Sequence, residues 1–487
     1  MLAMNTPLTI SLTQHTPAKP ARPAPPTTRE GSVLSTLNPD GSRRWLTPTP
    51  SPGRWWTRRR AVAYGLIALF TLLPHLRLNG HPPLLLDLAT RRFHVLGTTF
   101  FPTDTLLLAL ILLVIFLAIF LFTALLGRVW CGWACPQTVY LEFVFRPLER
   151  LFEGEPGRPN RSWLATSGLG KVLKYVTYFL VACFLAHTFL AYFVRTEVLR
   201  EWVTQSPFQH PGPFLVMATV TALMLFDFTF FREQVCLVAC PYGRMQSTLL
   251  DRQSLIVSYD VKRGEPRGKA APGGAPRGDC VDCGWCVRTC PTGIDIRNGL
   301  QMECVHCTQC IDACDAVMSK LRRPTGLIRY GSQAEMAGEP RRFLRPRTLV
   351  YPAILAVLFT AITLVLLHRG PANVRVLRAR GPVYSTLPTG EIANSTIVKI
   401  TNQADRSQTF TIAAFGAEGA RAVCEESPVV LTSGEIRAVP VMLVAPPGAF
   451  EHGHLTVTVR VEGPDGYRFE HPYRMAGPGT TPRKEAP

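Results

Sequence analysis

The sequence predicts a multi-domain membrane protein with about five transmembrane α-helices, a cysteine-rich α+β insert and a C-terminal all-β sandwich. Hydrophobic residues make up 47% of the 487 residues, and several apolar runs reach the roughly twenty residues that a helix needs to cross a bilayer. Twelve of the fourteen cysteines, eight in one region and four in two pairs, are regularly spaced. The formal net charge of +18 fits basic flanks on one side of a membrane. Because no base-reading motif accompanies it, we expect no nucleic-acid partner.

The first 57 residues are rich in Pro, Thr, Ala and Arg. They carry too little apolar surface to offset the entropy lost on ordering, so we predict a disordered tail over residues 1–57. No cleavable signal peptide is apparent, because the first apolar run begins only at Ala61, behind three arginines. We expect this first run to act as an uncleaved anchor in membrane lipid.

Apolar runs of spanning length occur near residues 60–78, 104–126, 172–194, 213–231 and 348–367. The segments that follow the second and fourth runs are rich in Arg and Lys, whereas the other connecting loops are sparse. Basic flanks stay in the cytoplasm. We therefore expect a multi-pass protein of the inner (cytoplasmic) membrane, with the N-terminus and the cysteine-rich insert in the cytoplasm and the C-terminal domain in the periplasm.

The C-terminal region alternates apolar and polar residues in short runs, such as STIVKITN and HLTVTVRVEG, which predicts antiparallel strands in an immunoglobulin-like sandwich. We see no catalytic constellation in it and expect it to dock a partner. The chain then divides into a four-helix transmembrane region at 58–255, a Gly- and Pro-rich flexible linker at 256–279, a cytoplasmic cysteine-rich domain at 280–347, a fifth transmembrane helix at 348–368 and a periplasmic β-domain at 374–478.

Eight cysteines form two runs with the spacing C-x2-C-x2-C-x3-C. This spacing is typical of bacterial two-cluster ferredoxins, in which the fourth cysteine of each run binds the other cluster. A zinc site would pair C-x2-C with a distant second couple, and disulfides are disfavoured in a reducing cytoplasm. We predict a ferredoxin-like α+β domain with one 4Fe-4S cluster on Cys280, Cys283, Cys286 and Cys314 and a second on Cys290, Cys304, Cys307 and Cys310.

Four further cysteines, here called the interfacial cysteines, form two C-x3-C-P motifs at the cytoplasmic ends of the second and fourth predicted spans: Cys131, Cys135, Cys236 and Cys240. Pro136 and Pro241 disfavour helix at the preceding cysteine, so we expect each helix to break there and present its thiols at the membrane interface. Four soft sulfurs from neighbouring spans suit Cu(I). The alternative is that these cysteines are small apolar filler.

Four segments resemble those of the cytochrome c oxidase accessory proteins called CcoG, also FixG or RdxA, which are membrane polyferredoxins: RVWCGWACPQTVY, REQVCLVACPYGRMQ, DCVDCGWCVRTCPTGIDIRNGLQ and ECVHCTQCIDACDAVMSK. The resemblance implies a role in assembling cbb3-type cytochrome c oxidase, as a cupric reductase that converts Cu(II) to Cu(I) before delivery. It implies that the interfacial cysteines handle copper as a substrate ion. The implied partners are oxidase subunits and copper-delivery proteins, and the electron donor is not identified.

Two other functions stay open at this point. Related polyferredoxins with similar spans pass quinol electrons to other partners, so a quinol dehydrogenase is one alternative. A non-catalytic scaffold for oxidase assembly, with structural clusters, is the other. Copper binding separates the reductase from the quinol dehydrogenase, and a cluster-free variant that still supports assembly would select the scaffold.

Overall fold

The computed structural model describes residues 34–478, apart from 39, 79–81, 89, 91, 96, 102–103, 156–167, 270–275, 341, 343, 405 and 417. The predicted disordered tail therefore lies outside the described residues over 1–33. The first nine helices are α1 Arg54–Leu72, α2 Thr105–Leu126, α3 Val129–Trp133, α4 Pro136–Tyr140, α5 Arg146–Glu153, α6 Gly168–Leu190, α7 Thr196–Thr204, α8 Pro211–Phe226 and α9 Pro241–Leu249. The other five are α10 Val261–Gly264, α11 Trp285–Arg288, α12 Gln309–Lys320, α13 Gln333–Ala337 and α14 Pro346–Leu367.

Four helical segments of the described chain are long and apolar enough to cross a membrane: Thr105–Leu126, Gly168–Leu190, Pro211–Phe231 and Pro346–Leu367. They match four of the five predicted runs. The third consists of α8 and a single π turn at Asp227–Phe231. Two more π turns, Leu141–Phe145 and Val235–Ala239, lie beside the C-x3-C-P motifs. Single π turns inside helices are frequent at functional sites.

The first predicted span differs from the structure. Helix α1 runs over Arg54–Leu72, and a 3-10 turn containing Pro74 follows it. Because Arg58, Arg59 and Arg60 lie inside this helix, it is not among the four apolar segments found in the described residues. The helix nevertheless joins the two ends of the helix bundle. Asp312 of the cysteine-rich domain accepts from Trp55 N and Trp56 N at its start, and Tyr192, just after α6, donates to the Phe70 carbonyl near its end. The described chain thus has four apolar spans and one helix with a basic first half.

The cysteine-rich domain begins earlier than predicted. Strand β4, Ile256–Tyr259, pairs antiparallel with β5, Ile328–Gly331, and both are largely buried. The prediction of a flexible linker over 256–279 is therefore wrong for its first four residues, which form one strand of the two-stranded sheet of this domain. Composition pointed to a linker since the Gly- and Pro-rich part follows immediately. Residues 270–275 of that predicted linker are outside the described chain.

Residues 34–53, here called the N-terminal strap, lie on the cysteine-rich domain, so the predicted disorder over 1–57 is wrong for its described part. Ser35 Oγ donates to the Thr292 carbonyl at 2.7 Å, and Thr49 N donates to the Arg288 carbonyl at 3.1 Å. Leu46 is buried against Gly293. The strap has little apolar surface of its own and is ordered by the surface that it covers.

The C-terminal domain is a sandwich of two antiparallel sheets, which confirms the predicted fold class. One sheet has the order β10-β12-β8-β6, with β7 beside β8, and the other has the order β11-β9-β13-β14. Alternate side chains of both sheets form one apolar core. The strands are β6 Ala372–Arg378, β7 Ser385–Thr386, β8 Ile392–Asn402, β9 Gln408–Phe415, β10 Arg421–Val423, β11 Val429–Leu431, β12 Ile436–Ala445, β13 His454–Glu462 and β14 Arg468–Ala476.

Opposite ends of the membrane helices contact the two domains. Ser254 of the cysteine-rich side donates to the carbonyl of Ala124, near the end of α2. At the start of α2, Asp104 accepts hydrogen bonds from Arg369 at 2.8 Å and from Gln403 of the β-sandwich side at 2.9 Å. A small sheet lies near this end and consists of β1 Leu84–Asp87, β2 Arg92–Val95 and β3 Thr98–Phe100.

Candidate functional site

The cysteine-rich domain encloses two cavities, each lined by one of the predicted ligand sets. The lining of the first cavity includes Cys280, Cys283, Cys286 and Cys314. The lining of the second includes Cys290, Cys304, Cys307 and Cys310. Cys286 lines both cavities, so they are neighbours.

The two cysteine runs have the same backbone conformation at equivalent positions. Asp282 and Gly284 of the first run have positive φ, as do His306 and Thr308 of the second. Left-handed residues among right-handed ones form concave turns of backbone N–H groups, which occur at many iron–sulfur sites. Three of these four residues are not glycine, so each holds an unfavourable conformation of the order of 1 kcal/mol or more. Both loops are therefore shaped around a group that they surround.

The walls of both cavities are mostly apolar, and this affects the charge of the thiols. Burial raises the pKa of Cys286, Cys304, Cys307 and Cys314 to about 12. Thiolates at these positions therefore require a bound cation. Four thiolates around each cavity would hold the irons of a 4Fe-4S cluster, which supplies one-electron chemistry when bound. The residues present fit that group.

Two buried donors at the second cavity lack acceptors within the described part of the chain. His306 accepts a hydrogen bond from Arg128 N at Nδ1, which leaves the proton on Nε2, and Nε2 has no partner. Both terminal nitrogens of Arg59 are likewise without partners. Buried donors are normally paired. Two side chains with unpaired donors near one cysteine-lined cavity indicate that the cavity holds a hydrogen-bond acceptor. Sulfide and thiolate are both acceptors.

The interfacial cysteines follow the apolar segments that end at Leu126 and Phe231, and Cys131 is buried, not exposed as predicted. Cys135 and Cys240 have extended backbones directly before Pro136 and Pro241, which begin α4 and α9, so the predicted helix breaks are confirmed. Cys131 lies in α3, and its thiol donates to Gln246 Oε1 at 3.0 Å. Burial, with smaller contributions from the other three interfacial thiols, raises the pKa of Cys236 to about 12. Cys131 and Cys236 pack in one apolar cluster.

These thiols do not form a finished mononuclear site. Among the described residues, no three His, Cys, Asp or Glu side chains are arranged to hold one metal ion. A copper ion at the interfacial cysteines would have to draw its ligands together on binding.

The interfacial cysteines contact the wall of the second cavity. Cys131 and Cys236 pack with Val305 and Cys307 in one small apolar cluster. At Gly132, a Cβ would lie 2.5 Å from the Val305 carbonyl oxygen, so α3 packs directly on the loop that carries Cys304 and Cys307. A predicted ligand of the second cluster thus belongs to the same packed cluster as one thiol from each C-x3-C-P motif.

Sequence reasoning missed a buried ion network beneath this contact. Arg146 bridges Glu142 and Glu233, and Gln309 of α12 donates to Glu142 at 3.0 Å. All four side chains are buried. The signal in the sequence was the placement of Glu142 and Arg146 among the apolar residues of LEFVFRPLER. Buried charges of this kind are paired, and here they join the membrane helices to the cysteine-rich domain.

Family models match three parts of the chain. A 4Fe-4S dicluster domain matches residues 231–333, and a 4Fe-4S binding domain matches residues 108–155. A model described as the IG-like fold at the C-terminal of FixG matches residues 362–478. The first two matches contain all eight cavity cysteines and all four interfacial cysteines. They support iron–sulfur clusters as cofactors and electron transfer as the chemistry.

Relatives align over most of the chain. RdxA of Cereibacter sphaeroides is 35% identical over 417 residues, which are 81% of this chain and 87% of RdxA. RdxB of the same organism is 35% identical over 381 residues, 74% of this chain and 78% of RdxB. The nitrogen fixation protein FixG of Rhizobium meliloti is 32% identical over 425 residues, 78% of this chain and 80% of FixG. The chain therefore belongs to the FixG/RdxA family of membrane proteins with 4Fe-4S-binding domains.

Proposed function

We propose that this protein is a cupric reductase that supplies Cu(I) for the assembly of cbb3-type cytochrome c oxidase. One electron leaves the clusters and reduces one Cu(II) ion, held by the interfacial cysteines, to Cu(I). The donor that restores the electron is a soluble or membrane reductant on the side of the cysteine-rich domain. Oxidase subunits and copper-delivery proteins are the proposed partners of the Cu(I) product.

The packing of Cys131, Cys236 and Cys307 in one apolar cluster carries this proposal. Cys307 also lines the second cavity. An ion bound at these thiols would lie within a side chain or two of the cluster ligand. Such proximity supports direct electron transfer to the ion without a further cofactor.

The thiols suit an ion that changes oxidation state and then leaves. Cu(II) prefers nitrogen and oxygen ligands in tetragonal geometry, whereas Cu(I) prefers sulfur. A group of four sulfurs therefore favours the product oxidation state.

The proposed orientation places the cysteine-rich domain in the cytoplasm and the β-sandwich in the periplasm. It rests on the Arg and Lys residues that flank α3 to α5 and the cysteine-rich domain. The β-sandwich carries its own core and is joined to the membrane helices through Asp104 and Arg369. It is the proposed docking domain for the oxidase.

Replacement of all four interfacial cysteines with serine tests the assignment. We expect both clusters to assemble, because none of the four lines either cavity, and cupric reduction to fall to the rate measured without protein. The measurement is anaerobic Cu(I) formation by protein that has been reduced with dithionite and then separated from the excess dithionite, which would itself reduce Cu(II), with cluster content followed by EPR. The matched control is Cys424→Ser in the β-sandwich, which should reduce Cu(II) at the wild-type rate. Wild-type turnover by the four-serine variant would refute the proposal.

A quinol dehydrogenase remains the second candidate because of a cavity at the other end of the helices. It has a volume of about 560 Å³, and its lining includes His187, Trp202, His210 and Met217. Apolar walls with two imidazoles suit a quinone head group. Quinol-dependent cluster reduction in protein that binds no copper would favour this function, whereas copper reduction that proceeds without quinone would exclude it.

A further inference from the structure

Arg59 is a buried cation without an ion-pair partner in the described part of the chain. It lies in α1 and is completely buried. Its Nε donates to the Gly132 carbonyl at 2.9 Å, but neither terminal nitrogen has an acceptor among the described residues. A buried guanidinium that lacks a partner is strongly unfavourable, because its charge has lost water and gained no opposite charge. An anion must therefore complete this site.

The surroundings of Arg59 show where that anion belongs. One side of the guanidinium faces the Phe143 ring, whose centroid is 5.3 Å from Cζ. The residue that accepts from Nε, Gly132, packs on the loop that carries Cys307. A Cβ on Gly132 would lie 2.5 Å from the Val305 carbonyl oxygen and 2.8 Å from that of His306, and both residues lie between Cys304 and Cys307. The Arg59 guanidinium is thus one backbone contact away from the loop that lines the second cavity, and the anion belongs there.

We propose that Arg59 is the counter-cation of the second cluster and raises the reduction potential of that cluster through the Cys307 side. A 4Fe-4S cluster with four thiolates is an anion, and its negative charge grows when it takes up an electron. A fixed positive charge in a buried site favours the more negative state. Hydrogen bonds to cluster sulfurs act in the same direction. This inference needs the iron–sulfur assignment and is independent of copper.

The first cavity also has an arginine, but its charge is compensated. Arg297 lines the first cavity and donates to Asp295 from Nε at 2.8 Å and from Nη2 at 2.7 Å. It also pairs with Asp282. Arg297 therefore adds little net positive charge to the first cluster. The two sites therefore differ, because Arg297 at the first cavity pairs with two carboxylates, whereas Arg59 near the second has no ion pair among the described residues.

The test is a potentiometric titration of both clusters, followed by EPR, in Arg59→Met and in the matched control Arg60→Met. Arg60 is the next residue of α1, is exposed and stacks on Trp56. We expect Arg59→Met to lower the equilibrium constant for one-electron reduction of one cluster by about tenfold, or about 59 mV. The other cluster should keep its potential, and Arg60→Met should change neither. Unchanged potentials in Arg59→Met with both clusters present would overturn the proposal.

The identity of the shifted cluster is a second condition. Cys283 belongs to the first cavity only. Cys283→Ser should perturb the EPR signal of the first cluster and leave that of the second cluster unchanged. When Arg59→Met is added to this variant, the reduction potential of the unchanged signal should be the one that shifts. A shift confined to the perturbed signal would contradict the proposal.

If Arg59→Met fails to assemble one cluster, the potential of that cluster cannot be measured, and Arg59→Lys then provides the test. Lysine keeps the positive charge but not the planar fork, so we expect both clusters to assemble, with a potential between those of the wild type and Arg59→Met. Equal cluster loss in Arg59→Lys and Arg59→Met, measured as iron and sulfide per chain, would mean that Arg59 acts through shape and would overturn the proposal. These measurements use no copper, so failure here leaves the cupric reductase proposal standing.

Discussion

Gly132 shows how closely the membrane region and the cysteine-rich domain fit at the scale of one residue. A Cβ at this position would lie 2.5 Å from the Val305 carbonyl oxygen and 2.8 Å from that of His306. Both neighbours are backbone atoms of the loop between Cys304 and Cys307, so they cannot rotate away. The glycine therefore permits the contact between α3 and the second cavity.

We expect Gly132→Ala to push this loop away and destabilise the protein by about 1–3 kcal/mol, the usual effect of overpacking. Iron content should fall along with stability. The matched control is Gly65→Ala in α1, where a Cβ meets nothing within 4 Å. That change should be neutral or stabilise by up to about 1 kcal/mol, because alanine is the better helix former. Thermal unfolding and iron analysis measure both, and equal effects of the two substitutions would contradict this account.

At the residue scale, the spacing of the cysteines can be predicted to form ligand sets from the sequence alone, whereas the burial of one particular arginine cannot. The spacing of the eight cysteines was enough to assign each of them to a ligand set, and the structure places each predicted set around one cavity. Arg59 could not be singled out. It stands between Arg58 and Arg60, and only packing decides which of the three arginines is buried.

At the scale of elements, the start of α1 is held by a side chain from α12. Asp312 accepts from Trp55 N at 3.2 Å and from Trp56 N at 2.7 Å. The first backbone N–H groups of a helix have no partners within it, and a carboxylate there also favours the helix dipole. Gly53 is close to the same carboxylate, and a Cβ there would lie 2.4 Å from Asp312 Cγ. The first helix is thus fixed to the cysteine-rich domain at its N-terminus.

We expect Asp312→Ala to release this end, at a cost of about 0.5–2 kcal/mol, as for other lost helix caps. Hydrogen exchange should rise at residues 54–58 and in the N-terminal strap. Asp312→Asn is the comparison, because its amide oxygen still accepts one of the two bonds and should keep part of the protection. Equal protection of these residues in Asp312→Ala and wild type would rule out the anchoring role.

Elements with their own apolar pattern were predicted well, and elements ordered by neighbours were not. The four apolar spans and the strands of the sandwich follow from hydropathy and alternation in the sequence. Strand β4 is only four residues long and precedes a Gly- and Pro-rich stretch, so the local signal was too short. The strap has no apolar period at all, and its order comes from contacts such as that of Leu46 with Gly293.

At the scale of the whole molecule, the cores of the β-sandwich and of the cysteine-rich domain differ in what stabilises them. The core of the β-sandwich consists of apolar side chains from both sheets. The core of the cysteine-rich domain includes Cys280, Cys286 and Cys304, with Cys290, Cys310 and Cys314 packed against it. Much of this second core surrounds the cavities. Its stability should therefore depend on the clusters, since metal binding supplies folding free energy when the site forms only in the fold.

We expect removal of iron to unfold the cysteine-rich domain locally and to leave the sandwich intact. The measurement is hydrogen exchange of the intact chain in detergent before and after oxidative removal of iron with a chelator. Protection should fall in residues 256–331 and stay unchanged in residues 372–476. Loss of protection in both regions, or in neither, would show that the two cores are not independent in this way.

The hydrogen bond between Ser35 and Thr292 joins residues 257 positions apart. During synthesis at roughly 5–20 residues per second, the strap leaves the ribosome about 10–50 s before its binding surface exists. Throughout that interval it must stay soluble without collapsing on the nascent membrane segments. A segment with few apolar residues can stay soluble for that time. The composition typical of disordered segments therefore keeps the strap available until the cysteine-rich domain has formed.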